Sequence, residues 1–439
     1  MYIRILIDVT DMRILLVSTS ISGGGAAHAC LRLFDALKAS GVEVRLLTMT
    51  GREVGPWHEV MSLNPSMHWQ YLGARLTERL QILWHTRGHR ANLWRLSTAT
   101  YGLDISEHPW IKWADVVHLH WISQGFVSLK SLKRLRALGK PIVWTLHDLW
   151  PVTGGCHLPL LLSPEDAQLC PRLRHGCGAC PLFGRTKSES KTAKFAQTKA
   201  FLAHWPFRYI AVSRAERELI RLSPHFYRAS VEVIPPPISL PSPQTKSEVQ
   251  PQWYDPNRIY LLFASARLDD EVKGESLLHQ ITEIILRLAP EIAKRLTLLL
   301  VGEHKGGYRA EQYAIHTIYI GRVREVKRMA ELYRIASLTL STSLFETFGQ
   351  TLTESLICGC PVVAFASGGP IDIVRSGENG YLVPAYDVSA YAEAVLTALD
   401  EHSQGKLSEK ACIASVSGFL PQAVAKQHVE LYRTYLSAT

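Results

Sequence analysis

One pattern occurs twice in this chain and constrains its fold more than any other: an apolar strand, a polar turn, a helix and a second apolar strand. The first copy covers residues 13–47 and the second covers residues 259–301. Because a helix that joins two such strands makes them parallel, each copy predicts a domain with a parallel sheet. Three consecutive prolines, Pro235–Pro237, form a stiff boundary between the copies. We therefore predict an α/β fold with two Rossmann-like parallel-sheet domains that face a cleft.

The length and composition agree with a folded protein of several domains. A chain of 439 residues is longer than one ordinary hydrophobic core supports. A hydrophobic content of 47% with 20% charged residues is typical of a globular protein. The sequence has neither an apolar run of the roughly 18 residues that span a bilayer nor the features of a signal peptide. We expect a cytoplasmic protein, and we predict that residues 1–11 are an extension outside the fold.

Two predicted strands of the first copy's domain end in histidines. His120 ends the strand 116–120, and His147 directly follows the strand 141–146. In open α/β sheets, ligands bind at the carboxyl ends of the strands. His147 is the better candidate for a site residue because Asp148 stands beside it, although a histidine at a strand end is often structural.

The segment after the predicted strand 338–340 combines two acids with a glycine. Glu346 lies on the predicted loop between this strand and a helix, and Glu354 lies in the first turns of that helix. Backbone N–H groups at a helix start attract phosphate, and Gly349 lets a ligand approach them closely. The two carboxylates can accept hydrogen bonds from sugar hydroxyls. The segment predicts a ligand with phosphate and hydroxyl groups, although an acidic, glycine-capped loop without a ligand fits the same residues.

Two cations of the second copy complete this predicted site. Arg267 and Lys273 lie in the turn after the strand 259–264, where a diphosphate would bind at a helix start. Two fixed cations neutralise phosphate and the charge that develops if it leaves. The second strand of the first copy ends in Thr48-Met49-Thr50 and lacks the acid that would hold an adenosine ribose, which disfavours a nicotinamide-dependent dehydrogenase. Together these residues predict a nucleotide-sugar donor site.

An insertion at residues 151–185 carries four of the eight cysteines. Clustered cysteines in a cytoplasmic protein indicate a metal before disulfides, and four thiolates match structural zinc. Disulfides and free thiols are the alternatives, and an iron–sulfur cluster is remote. The candidate zinc ligands are Cys156, Cys170, Cys177 and Cys180. We expect the other four to be buried like small hydrophobic residues: Cys30, Cys358, Cys360 and Cys412.

The formal net charge of +9 is unevenly spread. Residues 73–95 hold five arginines against a lone Glu78, with Trp84 and Trp94 between them, and residues 116–147 hold five cations and no acid. Basic helices with tryptophan and leucine on another face can lie on anionic membranes, but they can also be ordinary solvated helices. We do not expect nucleic acid as a partner, because no recognition motif accompanies the charge.

These motifs resemble those of the retaining glycosyltransferases of the GT-B fold, family 4, also called glycosyltransferase group 1. The central family motif is a glutamate, seven residues and a second glutamate, which here are Glu346 and Glu354. The insertion with its cysteine knuckle is similar to the branch that includes colanic-acid-type polysaccharide transferases. The other matching segments are Gly23–Gly25, His147-Asp148, the pair Arg267 and Lys273, and residues 359–364, 368–374 and 377–384.

The resemblance implies a role for each matching position. Arg267 and Lys273 bind the donor diphosphate, Glu346 faces the donor sugar, Glu354 binds the nucleotide ribose, and His147 lies near the reacting carbon. A catalytic metal is not expected, since no Asp-x-Asp motif stands in a suitable position. The remaining positions that the resemblance assigns to donor binding are Gly24, Gly25, Phe348, Gly349, Gln350 and Thr351.

The resemblance also implies the domain boundaries, and this sequence departs from the family pattern at two positions. We expect an acceptor-side domain at 12–237, a donor domain at 238–418 and a helix at 419–439 that crosses back to the first domain. Asp372 stands where glutamate is commoner, and Pro236-Pro237-Ile238 replaces the usual Asn-Gly-Ile/Val, which suggests a stiffer hinge.

The expected reaction transfers a sugar from a nucleotide-diphosphate donor to an acceptor hydroxyl with retention, in cell-surface polysaccharide or other glycan biosynthesis. We expect a lipid-linked acceptor and a peripheral position at the inner face of an anionic membrane. Two alternatives share the architecture. One is a sugar-nucleotide epimerase that needs no acceptor, and the other is a non-catalytic nucleotide-sugar-binding subunit.

Overall fold

The computed structural model describes residues 12–183, 189–238, 251–307 and 312–437, which form two compact units. Unit 1 contains the chain up to Leu160, Leu169–Pro237 and the chain from Pro421 onward, and unit 2 contains Leu161–Gln168 and Ile238–Leu420. The predicted extension at residues 1–11, and most of the polar stretch predicted after the three prolines, lie outside the described residues.

The strands are given in chain order. They are β1 Arg13–Ser20, β2 Glu43–Thr50, β3 His58–Val60, β4 Val116–Leu119, β5 Ile142–Leu146, β6 Leu160–Leu162, β7 Ala167–Leu169, β8 Phe207–Ala211, β9 Val231–Val233, β10 Ile259–Arg267, β11 Leu296–Glu303, β12 His316–Gly321, β13 Leu338–Ser341, β14 Val362–Phe365 and β15 Gly380–Val383.

The helices follow the same order. They are α1 Gly25–Ala39, α2 Pro65–His85, α3 Pro109–Trp113, α4 Leu129–Ala137, α5 Glu189–Lys199, α6 Arg214–Arg221, α7 Glu275–Leu288, α8 Pro290–Arg295, α9 Val326–Ile335, α10 Gln350–Ile357, α11 Pro370–Ile373, α12 Val388–Ser403, α13 Glu409–Ser415 and α14 Pro421–Ser437. None of the helices in the described ranges is long and apolar enough to cross a membrane.

Unit 1 is built on a seven-stranded parallel sheet in the order β3-β2-β1-β4-β5-β8-β9. Successive side chains of a strand point to opposite faces, and both faces of this sheet are covered. On β1, Ile14 and Leu16 pack with residues of α1 and α14, while Leu15 and Val17 belong to the core on the other face. This burial on both faces is why β1 is apolar without alternation.

Unit 2 is built on a six-stranded parallel sheet in the order β12-β11-β10-β13-β14-β15. Helix α7 buries Leu277, Leu278, Ile281 and Ile285 against it, at the spacing of one helix face. The structure therefore confirms the predicted α/β class with two parallel-sheet, Rossmann-like halves.

The tip of the insertion belongs to unit 2, although the sequence prediction placed the whole insertion in the first domain. Strands β6 and β7 form a two-stranded sheet whose Leu162 and Ala167 pack against the unit 2 core. The hydroxyl of Tyr386 donates to the carbonyl of Ala167 at 3.1 Å. Burial of these two apolar side chains explains the assignment of Leu161–Gln168 to unit 2.

Candidate active site

The loops that follow β10 and β13 carry the predicted donor residues of unit 2. Lys273 ends a short 3-10 turn, and Gly274 separates it from α7. The N–H of Leu344 donates to the carbonyl of Val272 at 2.8 Å, and the Thr342 hydroxyl donates to the carbonyl of Gly274 at 2.8 Å. These bonds hold the two loops together.

Gly274 allows this close approach. Its φ is +66°, and a Cβ at this position would lie 2.1 Å from the carbonyl oxygen of Thr342. Any other residue would combine a strained backbone with a clash. Glycine at this position thus brings the loop of Lys273 against the loop of Glu346.

Lys273 and Glu346 form an ion pair, with Nζ 2.6 Å from Oε1. The Ser343 hydroxyl donates to the same oxygen at 2.8 Å. Burial opposes the charge of Lys273, but the Glu346 carboxylate outweighs this effect and raises the lysine pKa. The side chains are 28% and 16% exposed. The lysine is therefore charged at neutral pH, and both side chains keep part of their surface exposed to a ligand.

A glycine pair holds the loop of Glu346 from its other side. The N–H of Glu346 donates to the carbonyl of Ser367 at 3.2 Å, and the N–H of Gly369 donates to the carbonyl of Glu346 at 2.8 Å. A Cβ on Gly368 would lie 2.0 Å from the Glu346 carbonyl oxygen. The two glycines of the family-like segment 368–374 therefore fix the backbone that presents Glu346.

The N-terminus of α10 follows the same loop. Gly349 precedes the helix with a φ of +108°, so Gln350 and Thr351 are its first residues. Phe348 is buried against Phe419 with the two ring centres 5.5 Å apart, so only its backbone can meet a ligand. Glu354 lies in the second turn of α10 and accepts a hydrogen bond from the Tyr333 hydroxyl at 3.3 Å.

Arg267 is held by an acid that the sequence prediction did not use. Its Nε and Nη2 donate to the two carboxylate oxygens of Asp269 at 3.1 and 3.0 Å. This hydrogen bonding raises the pKa of Arg267 and lowers that of Asp269. The only sequence signal was the pair of acids at 269 and 270, directly after the arginine.

The predicted acceptor-side residues lie in unit 1. His147 follows β5, and its Nε2 lies 3.0 Å from Nδ1 of His120, which follows β4. Burial lowers the pKa of His147 to about 4, so the ring is neutral at pH 7. Gly24 and Gly25 form the start of α1, and Ala29, one turn further along α1, lines a small cavity together with both histidines.

Asp148, beside His147, belongs to a structural network. Its Oδ2 lies 2.7 Å from Nδ1 of His157, whose Nε2 lies 3.1 Å from the hydroxyl of Ser97. Serine, histidine and aspartate in this order resemble a hydrolase triad. However, Ser97 is only 1% exposed, and its hydroxyl accepts a hydrogen bond from the Gln124 side chain at 3.3 Å. The network fixes the insertion to the end of β5, and no local sequence signal indicated it.

The four insertion cysteines are free thiols. The N–H of Gly154 donates to Sγ of Cys177 at 3.0 Å, and Cys177 lies in a turn of residues with left-handed φ. Within the described ranges, no group of three or more histidine, cysteine or acidic side chains is arranged to hold a metal ion. The other four cysteines, at 30, 358, 360 and 412, are buried, as the sequence predicted.

Comparison with known proteins matches a glycosyltransferase family to each half of the chain. The family described as Glycosyl transferases group 1 matches residues 252–413, and Glycosyltransferase Family 4 matches residues 23–241. A D-inositol 3-phosphate glycosyltransferase of Kribbella flavida is 30% identical over 336 residues, which are 73% of this chain and 71% of the relative. The D-inositol 3-phosphate glycosyltransferase 1 of Catenulispora acidiphila is 25% identical over 331 residues, which are 73% of this chain and 72% of the relative.

Solved structures share the fold. Sucrose-phosphate synthase of Thermosynechococcus elongatus aligns with a TM-score of 0.63 at 19% identity, over 98% of this chain and all of that one. Anabaena HepE, solved in complex with UDP, aligns with a TM-score of 0.54 at 17% identity over the same shares. At these identities the likeness concerns the fold alone. The sequence matches go further: this chain belongs to the group 1 glycosyl transferases and is a hexosyl-type glycosyltransferase.

Proposed function

We propose that this enzyme takes its sugar from a nucleoside-diphosphate donor bound in unit 2 and transfers it to an acceptor hydroxyl with retention. The observation that carries the proposal is the ion pair of Lys273 and Glu346 at 2.6 Å, beside the start of α10. The loop thereby presents a cation for phosphate, a carboxylate for sugar hydroxyls and the N–H groups of a helix start within one segment.

The chemistry that these groups supply is electrostatic. When the bond to the sugar breaks, the diphosphate takes the electron pair, and fixed positive charge lowers the energy of that state. Lys273 is suited to this role because the Glu346 carboxylate raises its pKa and keeps it protonated. Arg267 would contribute a second cation once phosphate oxygens replace or join Asp269 as acceptors.

A calorimetric titration with a panel of UDP-, GDP- and ADP-sugars tests the donor proposal. The HepE structure holds UDP, which makes the uridine sugars the first choice. We expect one nucleotide series to bind and Glu354→Ala to weaken it, because Glu354 is proposed to accept from the ribose. Glu378→Ala is the matched control, since Glu378 pairs with Arg375 at the surface of the same unit. Absence of binding by every series would refute the donor site.

Retention and the acceptor require product analysis. The anomeric configuration of the product, read by NMR from the coupling constant of the new linkage, should equal that of the donor. The name that the two relatives share favours inositol 3-phosphate as one acceptor class. The insertion's likeness to the colanic-acid branch favours a growing cell-surface glycan, and a lipid-linked one fits the surface described next. Turnover with soluble inositol phosphate but not with lipid-linked saccharide would select the first class.

We also propose that helix α2 docks unit 1 on an anionic membrane. Trp69, Leu76, Leu80 and Trp84 form one exposed face of the helix, at spacings of seven, four and four residues, and Trp69 is 71% exposed. The lone acid of the helix, Glu78, points inward and accepts from the N–H groups of Thr98 and Ala99 at 2.8 Å. The exposed face is therefore apolar and free of acids.

Two arginines border this face and favour lipid phosphate as its partner. Arg75 and Arg79 stack on Trp94 at 5.8 and 4.7 Å from the ring centre. The Nε atoms of both, and Nη2 of Arg79, are buried without a hydrogen-bond partner in the described ranges. The two guanidinium charges beside the exposed face attract the phosphate groups of an anionic bilayer. By contrast, two cations of the other basic stretch are structural, since Arg134 pairs with Asp104 and Lys140 donates to the carbonyl groups at the end of α3.

Vesicle cosedimentation separates docking from ordinary solvation of the helix. We expect the protein to sediment at low salt with vesicles that contain phosphatidylglycerol and not with vesicles of phosphatidylcholine alone. Trp69→Ser with Trp84→Ser should abolish binding, and Tyr227→Ser, which changes another exposed aromatic residue, should not. Equal binding by the double variant and the control would refute the docking face.

Structural zinc at Cys156, Cys170, Cys177 and Cys180 is a separate proposal. Two observations support it. The N–H of Gly154 donates to the Cys177 sulfur, and the pKa of the Cys156 and Cys180 thiols is raised by burial and, to a smaller extent, by the nearby sulfurs of other insertion cysteines. On binding the ion, the four free thiols would have to move closer together. Elemental analysis of purified protein should find about one zinc per chain and none in Cys177→Ser with Cys180→Ser.

A further inference from the structure

Four histidine rings lie side by side in unit 1, and only His147 belongs to the proposed site. His118 and His120 stand at the end of β4, His147 follows β5, and His428 lies on α14. Ring centres are 4.4 Å apart for His118 and His120, 5.3 Å for His120 and His147, and 5.7 Å for His118 and His428. The reaction proposed above gives the other three no role.

The hydrogen bonds of His118 and His428 are complete or fixed. Nδ1 of His118 lies 2.6 Å from the Tyr432 hydroxyl, and its Nε2 lies 2.7 Å from the Thr145 hydroxyl. Nδ1 of His428 lies 2.9 Å from the carbonyl oxygen of Val424, which can only accept, so the proton of that ring is on Nδ1.

His120 is different, because only one of its nitrogens has a partner. Its Nδ1 shares a hydrogen bond with Nε2 of His147, while its Nε2 is buried and has no partner among the described residues. A neutral ring carries one proton, and a buried N–H without an acceptor is rarer in proteins than a bare acceptor. The proton of His120 therefore belongs on Nδ1, from which it donates to His147.

We propose that His120 is a positioning residue that locks His147 in the form with its proton on Nδ1. Since Nε2 of His147 accepts from His120, the single proton of the neutral ring must be on the other nitrogen. Nδ1 of His147 makes no hydrogen bond to another described residue, and the ring lines the cavity next to α1. His147 thus offers an uncharged N–H donor to a hydroxyl or phosphoryl oxygen of the substrate.

The surroundings keep this donor uncharged. Burial lowers the pKa of His147 to about 4, and the neighbouring Asp148 carboxylate raises it by less. The neighbouring His118 and His120 also have lowered pKa values through burial. The lock is therefore a property of the folded unit across the neutral pH range. Only the substrate-facing step of this inference rests on the proposed function.

Histidine tautomers can be read directly by NMR in protein labelled with ¹⁵N in its histidine rings. Long-range ¹H–¹⁵N spectra at pH 7 distinguish a protonated from a bare ring nitrogen, and His147→Gln assigns the signals by their loss. We expect a bare Nε2 and a protonated Nδ1 for His147. In His120→Phe the lock is removed, and the Nε2-protonated form should appear. In His120→Asn the amide N–H can still donate to His147, so the wild-type pattern should return.

Three results would overturn the proposal: a protonated Nε2 of His147 in the wild-type protein, an unchanged pattern in His120→Phe, or the same change in the exposed control His89→Phe. The wild-type spectrum decides even if His120→Phe fails to fold. No donor or acceptor is needed for these spectra. A protein with the expected tautomer that turned over no nucleotide sugar would refute the proposed reaction and leave the lock in place.

Discussion

Each unit places polar side chains at the carboxyl edge of its own parallel sheet. The side chains of unit 2 are charged, and the histidines of unit 1 are neutral. In unit 2 the proposed chemistry rests on charges in pairs, Lys273 with Glu346 and Arg267 with Asp269. In unit 1 it rests on buried imidazoles, whose charge burial suppresses. Ion pairs at a partly open loop can exchange partners with an ionic ligand. Buried rings give fixed directions to hydrogen bonds instead, so one fold supports both a phosphate site and a neutral donor.

Low pH should reveal the largest difference between the two units, because it should destabilise unit 1 through its neutral histidines. The pKa of His147 and of His428 is about 4 in the folded state, below the usual 6.5. The stability that these neutral rings contribute is therefore complete above about pH 6.5 and is lost as the pH falls towards 4. Each can cost up to about 3 kcal/mol of the free energy of unfolding.

Urea unfolding at pH 7 and pH 4.5 measures this loss. Ten of the eleven tryptophans lie in unit 1, so tryptophan emission reports mainly on that unit. We expect its midpoint to fall at pH 4.5, and His428→Leu to reduce the pH dependence. The rings that face His428 and His147 are His118 and His120, and Tyr432 also packs there. A midpoint independent of pH would contradict the assignment of neutral histidines.

Removal of a cation should affect unit 2 through turnover. If Lys273 acts on the charge that develops on the diphosphate, Lys273→Ala should lower kcat about 10²–10³-fold. Lys294→Ala removes a lysine that pairs with Glu291 on the surface and serves as control. Turnover within a factor of two of wild type would exclude the proposed role of Lys273.

The close contact at Gly274 should appear as a loss of stability. Gly274→Ala adds a Cβ that clashes with Thr342, beyond the left-handed backbone itself. Gly405→Ala has a similar φ, +73°, and open space around the Cβ, so it isolates the backbone effect. We expect Gly274→Ala to cost roughly 1–3 kcal/mol more than Gly405→Ala in thermal or urea unfolding. Equal costs would show that the two loops can separate freely.

The smallest effect should come from Asp269. This carboxylate competes with phosphate for the Arg267 guanidinium, and half-exposed ion pairs contribute up to about 1 kcal/mol. Asp269→Asn should therefore tighten donor binding by at most about fivefold in calorimetry. Glu378→Gln, which breaks the surface pair with Arg375, should leave the affinity unchanged. Weaker binding by Asp269→Asn would mean that Asp269 orients Arg267 rather than competing for it.

Local sequence signals predicted the elements of the fold well. The strand expected at 141–146 spans Ile142–Leu146, and the strand expected at 259–264 extends three residues further, to Arg267. At the start of α6, the Ser213 hydroxyl accepts from the N–H of Glu216 at 3.1 Å, a capping contact between residues only three positions apart. Apolar periodicity, glycine stops and caps act within a few residues, so the sequence displays them directly.

Contacts between segments that are distant in the sequence could not be predicted in the same way. The insertion offered cysteines as its signal, but its strongest link to β5 is the bond between His157 and Asp148. The partners of His118 include Tyr432, which is 314 positions away. Nothing in the neighbourhood of either residue specifies such a pairing, because it depends on how whole elements pack. The same holds for the bidentate bond that occupies Arg267.

The membership of α14 in unit 1 has a consequence for how the protein is made. Ile14 and Leu16 of β1 share a core with α1 and with Val424 and Tyr432 of α14, so this face of the sheet is only partly covered until residues 421–437 leave the ribosome. Unit 2 has its own core, and most of it is translated in the meantime. Unit 1, whose synthesis starts before that of unit 2, is therefore completed after it. During synthesis the part of this apolar face that α14 later covers is exposed, and slow translation would prolong the period in which it can aggregate.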